Sequence, residues 1–409
     1  MTKKTLALIF AVTFFFSVAA RAATESSCVS CHSGSKGRLL EPVKQWNESI
    51  HKEKGVGCSD CHGGNPNEYE NAMSKSFGFI GVPSRYEIPS FCAKCHADPK
   101  KMRQYNLRTD QYEQYKTSVH GKRLLLNKDN NVATCISCHS SHDIKSPGNP
   151  DSPVYRTNVP ATCAKCHSDK KLMAKYNLPS NQFDEYKQSY HGKLLLEKGD
   201  IRPANCADCH GSHGATPPGV KEVANVCGNC HSLTEDYFNK SPHKRSLDTA
   251  GVPRCIDCHG NHKIRYPDIS MFTGSENGIC AGCHERSSKG FKTALAFSGL
   301  IGSFESEVKR TGQTLDGIKR AGVDVSLLEQ KMDELNAKIT EAVPVTHTLS
   351  LKSVEEKISA ARADLPGIKK GIKAAGNEVS NRKKIYAGII TGLLIMVLLL
   401  YLKFKSYEQ

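Results

Sequence analysis

All eighteen cysteines of this 409-residue chain stand in Cys-x-x-Cys pairs: Cys28 and Cys31, Cys58 and Cys61, Cys92 and Cys95, Cys135 and Cys138, Cys163 and Cys166, Cys206 and Cys209, Cys227 and Cys230, Cys255 and Cys258, Cys280 and Cys283. A histidine follows each pair directly: His32, His62, His96, His139, His167, His210, His231, His259 and His284. Two thiols one helical turn apart can each add to a vinyl group of one porphyrin, while the next side chain offers an imidazole to its iron. The pattern therefore predicts nine covalently bound c-type haems, with those nine histidines as proximal ligands. A zinc ribbon needs two such pairs per metal and no trailing histidine. A disulfide framework would not space every pair alike.

Eight of the 17 histidines remain: His51, His120, His142, His191, His213, His243, His262 and His347. Seven recur at fixed places. The stretch from Cys92 to His142 returns 71 residues later as Cys163 to His213, retaining Tyr-Lys-x-Ser-x-His-Gly-Lys at both His120 and His191; weaker copies flank the two. The unit is thus a free histidine followed by two Cys-x-x-Cys-His motifs. His51, His120, His191 and His243 each lie two residues after a serine, ahead of a haem motif, while His142, His213 and His262 fall three residues past a proximal histidine. A side chain in the latter position points away from its own haem and toward a neighbour, so both classes are expected to fill sixth positions on iron. Eight histidines cannot serve nine irons. Asn65 stands where later units have His142, His213 and His262, so the deficit is expected near the N-terminal end, with Met73 the nearest thioether.

These features resemble the multihaem cytochrome c superfamily that includes pentahaem nitrite reductases and octahaem hydroxylamine oxidoreductases. The resemblance covers Cys28 to His284 and rests on CHGGNP at His62, the CAKCH pairs, the Ser-x-His-Gly-Lys segments and the CHxxH motifs. It implies stacked haem pairs with bis-histidine ligation by the residues just named. No Cys-x-x-Cys-Lys, which marks the catalytic haem of many nitrite reductases, occurs in this chain.

The elements that must position these groups are mostly helical. The implied fold class is mainly α with extensive loops: a multihaem cytochrome c wrapped around stacked haems, then a helical hairpin or bundle, then one C-terminal transmembrane helix. Aromatics make up only 7 % of the chain and apolar residues 38 %, so the porphyrins themselves must supply much of the buried surface of residues 23–290. Without haem that region is expected to be unfolded. From 291 to 384 the pattern changes. Ile301, Phe304, Val308, Thr311, Leu315 and Ile318 step by three and four, as do Val325, Leu328, Met332, Leu335, Ile339 and Ala342, and then Leu351, Val354, Ile358, Ala361, Leu365, Ile368 and Ile372. Such a seam predicts three helical segments broken near Gly322 and at Pro344. His347, at the start of the last segment, is placed to reach a haem.

Residues 1–22 read as an export signal, with Lys3 and Lys4 before an apolar run and Ala20-Arg-Ala22 as its cleavage site. Ile385 to Leu402 is uncharged and, at about 1.5 Å per residue, roughly 27 Å long, enough to cross a bilayer core. Residues 403–409 are then a cytoplasmic tail, and the haem domain lies in the periplasm of a bacterium, fixed to the cytoplasmic membrane. The formal charge of +15 does not signal nucleic acid, because the eighteen propionates of nine haems more than offset it and the basic residues are dispersed among the motifs.

Dense haem packing with an anchor predicts an electron carrier between a quinone-linked membrane partner and periplasmic redox proteins. The lone span carries no ionisable group for quinol chemistry, so a separate integral quinol-oxidising subunit is expected, a b-type cytochrome being one candidate. The alternative is a multihaem oxidoreductase acting on nitrite, hydroxylamine, tetrathionate or a similar small nitrogen or sulfur compound at an open haem.

Overall fold

The computed structural model describes residues 26–215, 226–273 and 278–406; the export signal expected over 1–22 lies outside them. Helices and turns account for the described chain, with no strand among the described residues. Two compact units emerge, Met1–Asn158 and Val159–Gln409. Their boundary falls just ahead of the second repeat copy, which opens at Cys163.

Six of the haem motifs lie on short helices of two kinds, while that of Cys28 lies on the helix Ser27–Ser33 and those of Cys227 and Cys280 begin in 3-10 turns, Val226–Asn229 and Cys280–Gly282. Cys58–His62, Cys135–His139, Cys206–His210 and Cys255–His259 are five-residue helices. The residue before the second cysteine closes each N-terminus by accepting from the N-cap amide: Asp60 from Gly57 at 2.7 Å, Ser137 from Thr134 at 3.0 Å, Asp208 from Asn205 at 2.8 Å and Asp257 from Arg254 at 2.7 Å. An otherwise orphaned donor is thereby satisfied, which lets so short a helix persist. The residue after the histidine then turns the chain at positive φ: Gly63 at 69°, Ser140 at 66°, Gly211 at 79° and Gly260 at 80°. The CAKCH motifs instead end the longer helices Ile88–His96 and Val159–His167, each with a proline at its second position, where a missing amide hydrogen costs nothing.

From Lys289 the second unit becomes a three-helix bundle continuous with the haem-motif region. Its first helix, Lys289–Arg320, ends at Gly322, whose φ of 78° suits a glycine. The second, Ser326–Ala342, runs back and ends in a 3-10 turn, Val343–Thr348, that opens with Pro344. Leu351–Arg362 and Leu365–Lys405 then climb beside the first helix. The seam read from the sequence is the core of this bundle. Phe297, Ile301, Phe304, Leu335, Val354, Ile358, Leu365 and Ile368 are each no more than 2 % exposed. Leu328, Ile339 and Leu351 pack at its edge. The third segment, expected as one helix to Ile372, is two, broken at Ala363 and Asp364.

Phe304 is fully buried with the Arg362 guanidinium over its ring at 5.1 Å. Phe304→Ala should therefore lower bundle stability by about 3–5 kcal/mol while leaving haem content unchanged. Thermal unfolding followed by far-UV circular dichroism, beside haem staining, checks this; an unmoved midpoint would show that the seam does not hold the bundle together.

Candidate haem-binding sites

The serine-histidine segments are built from their own sequence. Ser118 Oγ donates to Tyr115 O at 2.7 Å and accepts from Gly121 N at 2.9 Å; Ser189 repeats both bonds with Tyr186 and Gly192 at the same distances. Each serine caps the helix that carries His120 or His191. A Cβ on Gly121 or Gly192 would lie 1.8 or 1.9 Å from the tyrosine carbonyl, so no other residue fits after the histidine. The tyrosine hydroxyls donate to Ala133 O at 2.8 Å and Ala204 O at 2.9 Å, immediately before the capped motif helices. Tyr, Ser, His and Gly of the repeat are thus one device that fixes an imidazole relative to the next haem motif. Ser49 does the same for His51, accepting from Lys52 N at 3.2 Å and donating to Trp46 O at 2.7 Å.

Each unit brings non-motif histidines opposite motif histidines. In the first, the ring centroids of His51 and His96 are 6.1 Å apart, and those of His62 and His142 6.2 Å. In the second, His191 lies 6.2 Å from His231, His262 6.0 Å from His210, His243 5.9 Å from His284 and His347 6.1 Å from His259. Two imidazoles on opposite sides of one metal, each with nitrogen about 2.0–2.1 Å from it, have centroids roughly 6 Å apart. Five of the six pairs are nearly parallel, at 14–26°; His51 and His96 are tilted by 54°. Rings stacked on each other would sit closer than this, and each pair joins one histidine from a Cys-x-x-Cys-His to one from outside. A single iron between each pair fits the spacing.

The electrostatics suit a metal ligand. Burial, and then the facing imidazole, holds His51, His142, His191, His243 and His262 below the ordinary histidine range, and brings His259 to about 4. His347 is lowered by burial as well. Neutral imidazole is the form that binds metal. His62 Nδ1 lies 2.8 Å from Gly81 O, and His347 Nδ1 3.0 Å from Pro344 O. Donation from Nδ1 to a carbonyl leaves Nε2 with its lone pair and fixes the ring. His32 Nδ1 has the same kind of partner, Leu39 O at 3.1 Å.

The remaining candidates are placed as follows. His120 occupies in the helix Val119–Leu125 the position that His191 has in Tyr190–Glu197. His213 follows Gly211 as His142 follows Ser140, and its Nδ1 is 3.4 Å from Ser212 Oγ, against 3.3 Å from Ser141 Oγ for His142. Met73 is 62 % exposed.

The cysteines are all unpaired, and no cluster of three or more metal-ligating side chains occurs among the described residues. Successive motifs are also neighbours. The Cys92 and Cys135 thiols hydrogen-bond, as do those of Cys163 and Cys206 and of Cys227 and Cys255. After burial, the neighbouring motif's cysteine also raises a thiol: Cys28 acts on Cys58, Cys95 on Cys61, Cys230 on Cys209 and Cys280 on Cys258. The run is unbroken from Cys28 to Cys135 in the first unit and from Cys163 to Cys280 in the second.

Asp60, Ser137, Asp208 and Asp257, which cap the motif helices, carry their own sequence signal, an acid or serine repeated before the second cysteine, which the spacing of Cys and His does not contain.

Comparison with known proteins agrees with this geometry. The family model described as cytochrome c3 matches residues 50–168 and 200–285, together half of the chain. A second, described as cytochrome c554 and c-prime, matches residues 14–63. The C-type polyheme cytochrome OmcC of Geobacter sulfurreducens is 35 % identical over 74 residues, which are 18 % of this chain and 9 % of that protein. The chain therefore matches less than a tenth of that relative's length. No solved structure matches. With Cys-x-x-Cys-His sites, imidazole pairs spaced for iron and a family model spanning both units, the chain belongs to the cytochrome c3 family of multihaem c-type cytochromes, with covalently bound c-type haem.

Proposed function

We propose that this protein is a membrane-anchored, periplasmic electron carrier with nine covalent haems, passing electrons between a quinone-linked integral membrane partner and periplasmic redox proteins. Bound haem supplies one-electron exchange at iron. The chain's own part is to attach the porphyrins through its cysteine pairs, to offer a histidine on each side of six irons, and to set successive attachment sites side by side. That last observation carries the reading. A series of neighbouring motifs, unbroken within each unit, is what conduction requires, whereas turnover of a substrate requires only one open iron. Six imidazole pairs also favour a carrier, since a filled sixth position excludes substrate from those irons.

Anchoring is supported by the last helix, Leu365–Lys405, the one described helix that is long and apolar enough to cross a membrane. Its side chains from Ile385 to Leu402, including Leu394, Leu398 and Leu400, are at least half exposed. An apolar surface of that extent is a liability in water and is at home in lipid. Arg382, Lys383 and Lys384 precede it and Lys403 and Lys405 follow, while Tyr386 and Tyr401 sit at the interface positions.

Stopping the chain before Ile385 should release a soluble protein with all its haems, because no cysteine lies beyond Cys283. In membranes the truncated protein should lose reduction by quinol while a chemical donor still reduces it fully. Cell fractionation with haem staining reads the first result and visible spectroscopy the second. Retention of the truncated protein in the membrane fraction would place the anchor elsewhere.

A further inference from the structure

We propose that the bundle is a stalk, which holds the haems of His231, His259 and His284 well clear of the lipid. Electrons then enter or leave them through a partner redox protein whose own redox centre stands outside the bilayer. This rests on the membrane reading above and concerns only the unit Val159–Gln409.

Contacts between the three helices fix level against level. Beginning at the haem-motif end, Gly290 lies beside the His284 ring, with its Cβ position 2.9 Å from Cε1. Phe297 meets Phe272 edge-on at 5.7 Å, and Gly302 meets Ile269. The 3-10 turn carrying His347 packs at this same end, against the helix Ser232–Asn239 that follows His231. Above Glu305, whose carboxyl pKa is raised by burial and then by Asp268 of the haem-motif region, these helices pair with one another. Ser303 takes Arg362 at 3.5 Å, Glu307 takes Lys369 at 2.5 Å, Lys338 of the second helix takes Asp364 at 2.5 Å, Lys319 takes Glu329 at 2.6 Å, and Gly322 O accepts from Arg382 at 3.0 Å. Arg382 is three residues before the apolar run, on the same unbroken helix.

The loop at Gly322 is therefore level with the start of the span, and the haem-motif region is at the opposite end. At about 1.5 Å per residue, Gly302 to Gly322 covers roughly 30 Å and Gly290 to Gly322 roughly 48 Å. Three more residues bring the helix to Ile385. Because the last helix runs without interruption from bundle to span, the stalk tilts only as the span tilts. Membrane helices tilt by about 20° on average and up to about 40°, which leaves at least three quarters of that height. The headgroup layer takes up roughly 5–7 Å of it. The remaining gap, roughly 16 Å at its least from Gly302 and about 29 Å from Gly290, is too long for efficient direct electron tunnelling from a quinol in the bilayer, and the charged stalk holds no redox group.

The test uses the full haem-loaded chain in nanodiscs of phosphatidylcholine and phosphatidylglycerol, imaged by electron cryomicroscopy. The expected image has a narrow helical column roughly 30 Å or more long between the disc and the density bearing these three irons. With a bilayer-confined quinol as sole donor the haems of His231, His259 and His284 should stay oxidised, and a water-soluble reductant should then reduce them. Irons seated against the headgroups, or prompt reduction by the quinol alone, would overturn the stalk and leave the anchored-carrier reading intact. Failure of the full chain to enter discs would overturn both.

Discussion

His347→Ala should leave every haem attached and convert one low-spin haem in the protein to high-spin. Attachment needs only the cysteine pair, whereas the sixth position opposite His259 is supplied across 88 residues of sequence by the turn Val343–Thr348. His191→Ala should do the same to the haem of His231, and His120→Ala, at the equivalent repeat position, should give an indistinguishable spectrum. In each case about one eighth of the low-spin intensity should move, since one of the nine haems is expected to be high-spin already, read by electron paramagnetic resonance of the oxidised protein beside haem staining. His347 differs in one respect. It joins the bundle to the haem-motif region, so its loss should also lower the midpoint of thermal unfolding, while His191→Ala should spare the bundle. His347→Met offers a control, because a thioether there restores the low-spin state and raises that haem's potential. Unchanged spectra in all three alanine variants would remove these histidines from the irons.

Attachment sites and bundle core were legible because both are local or periodic. Cys-x-x-Cys-His is read within five residues, and the seam from Ile301 to Ile372 follows from steps of three and four. The break at Ala363 and Asp364 was hidden for the same reason. Ala361 to Leu365 is itself a step of four, so the seam keeps its phase through a two-residue turn, and Pro366 sits within the first turn of the next helix, where proline is tolerated. Periodicity cannot see an interruption that preserves phase.

The partners of the histidines were not legible at all. The repeat sorts them into two classes but says nothing of which ring faces which, because that depends on contacts between distant segments. In the structure, Ile50 N donates to Ile144 O at 2.8 Å and Tyr190 N to Ile264 O at 2.8 Å. Each bond ties the residue before a Ser-x-His histidine to the residue two past a CHxxH histidine, so the two classes are positioned together. One hydrogen bond repeated in both units sets the geometry, and backbone pairing of this kind has no signature in side-chain type.

The facing histidine pairs also move the expected histidine deficit to a definite place, the haem of His32, where oxidised protein should show a single high-spin signal that changes on adding cyanide. The pairs obey a rule. A Ser-x-His histidine faces the second motif downstream, as His51 faces His96, His191 faces His231 and His243 faces His284. A CHxxH histidine faces a motif two upstream, as His142 faces His62 and His262 faces His210. Neither class serves His32. Residues 1–27 contain no histidine, and the position three past His96, two motifs downstream, is Pro99. Asn65, where the sequence places the gap, belongs to the next motif, that of His62. It is nonetheless close. Ser27 N donates to Pro66 O at 2.8 Å, Ser27 Oγ to Asn65 O at 3.4 Å, and Asn65 N to Ala72 O at 3.1 Å, which brings the turn bearing Met73 to the first motif helix. With 62 % of Met73 open to solvent, an open or water-bound iron is the expected state, and Met73→Ala should leave the spectrum as it is. A methionine-type charge-transfer band that vanishes in Met73→Ala would put the thioether on iron and give that haem the highest potential of the set. Nine bis-histidine haems would overturn the count itself, while a high-spin signal shifted by nitrite or hydroxylamine with turnover would make this N-terminal haem a reactive site at one end of a conducting series.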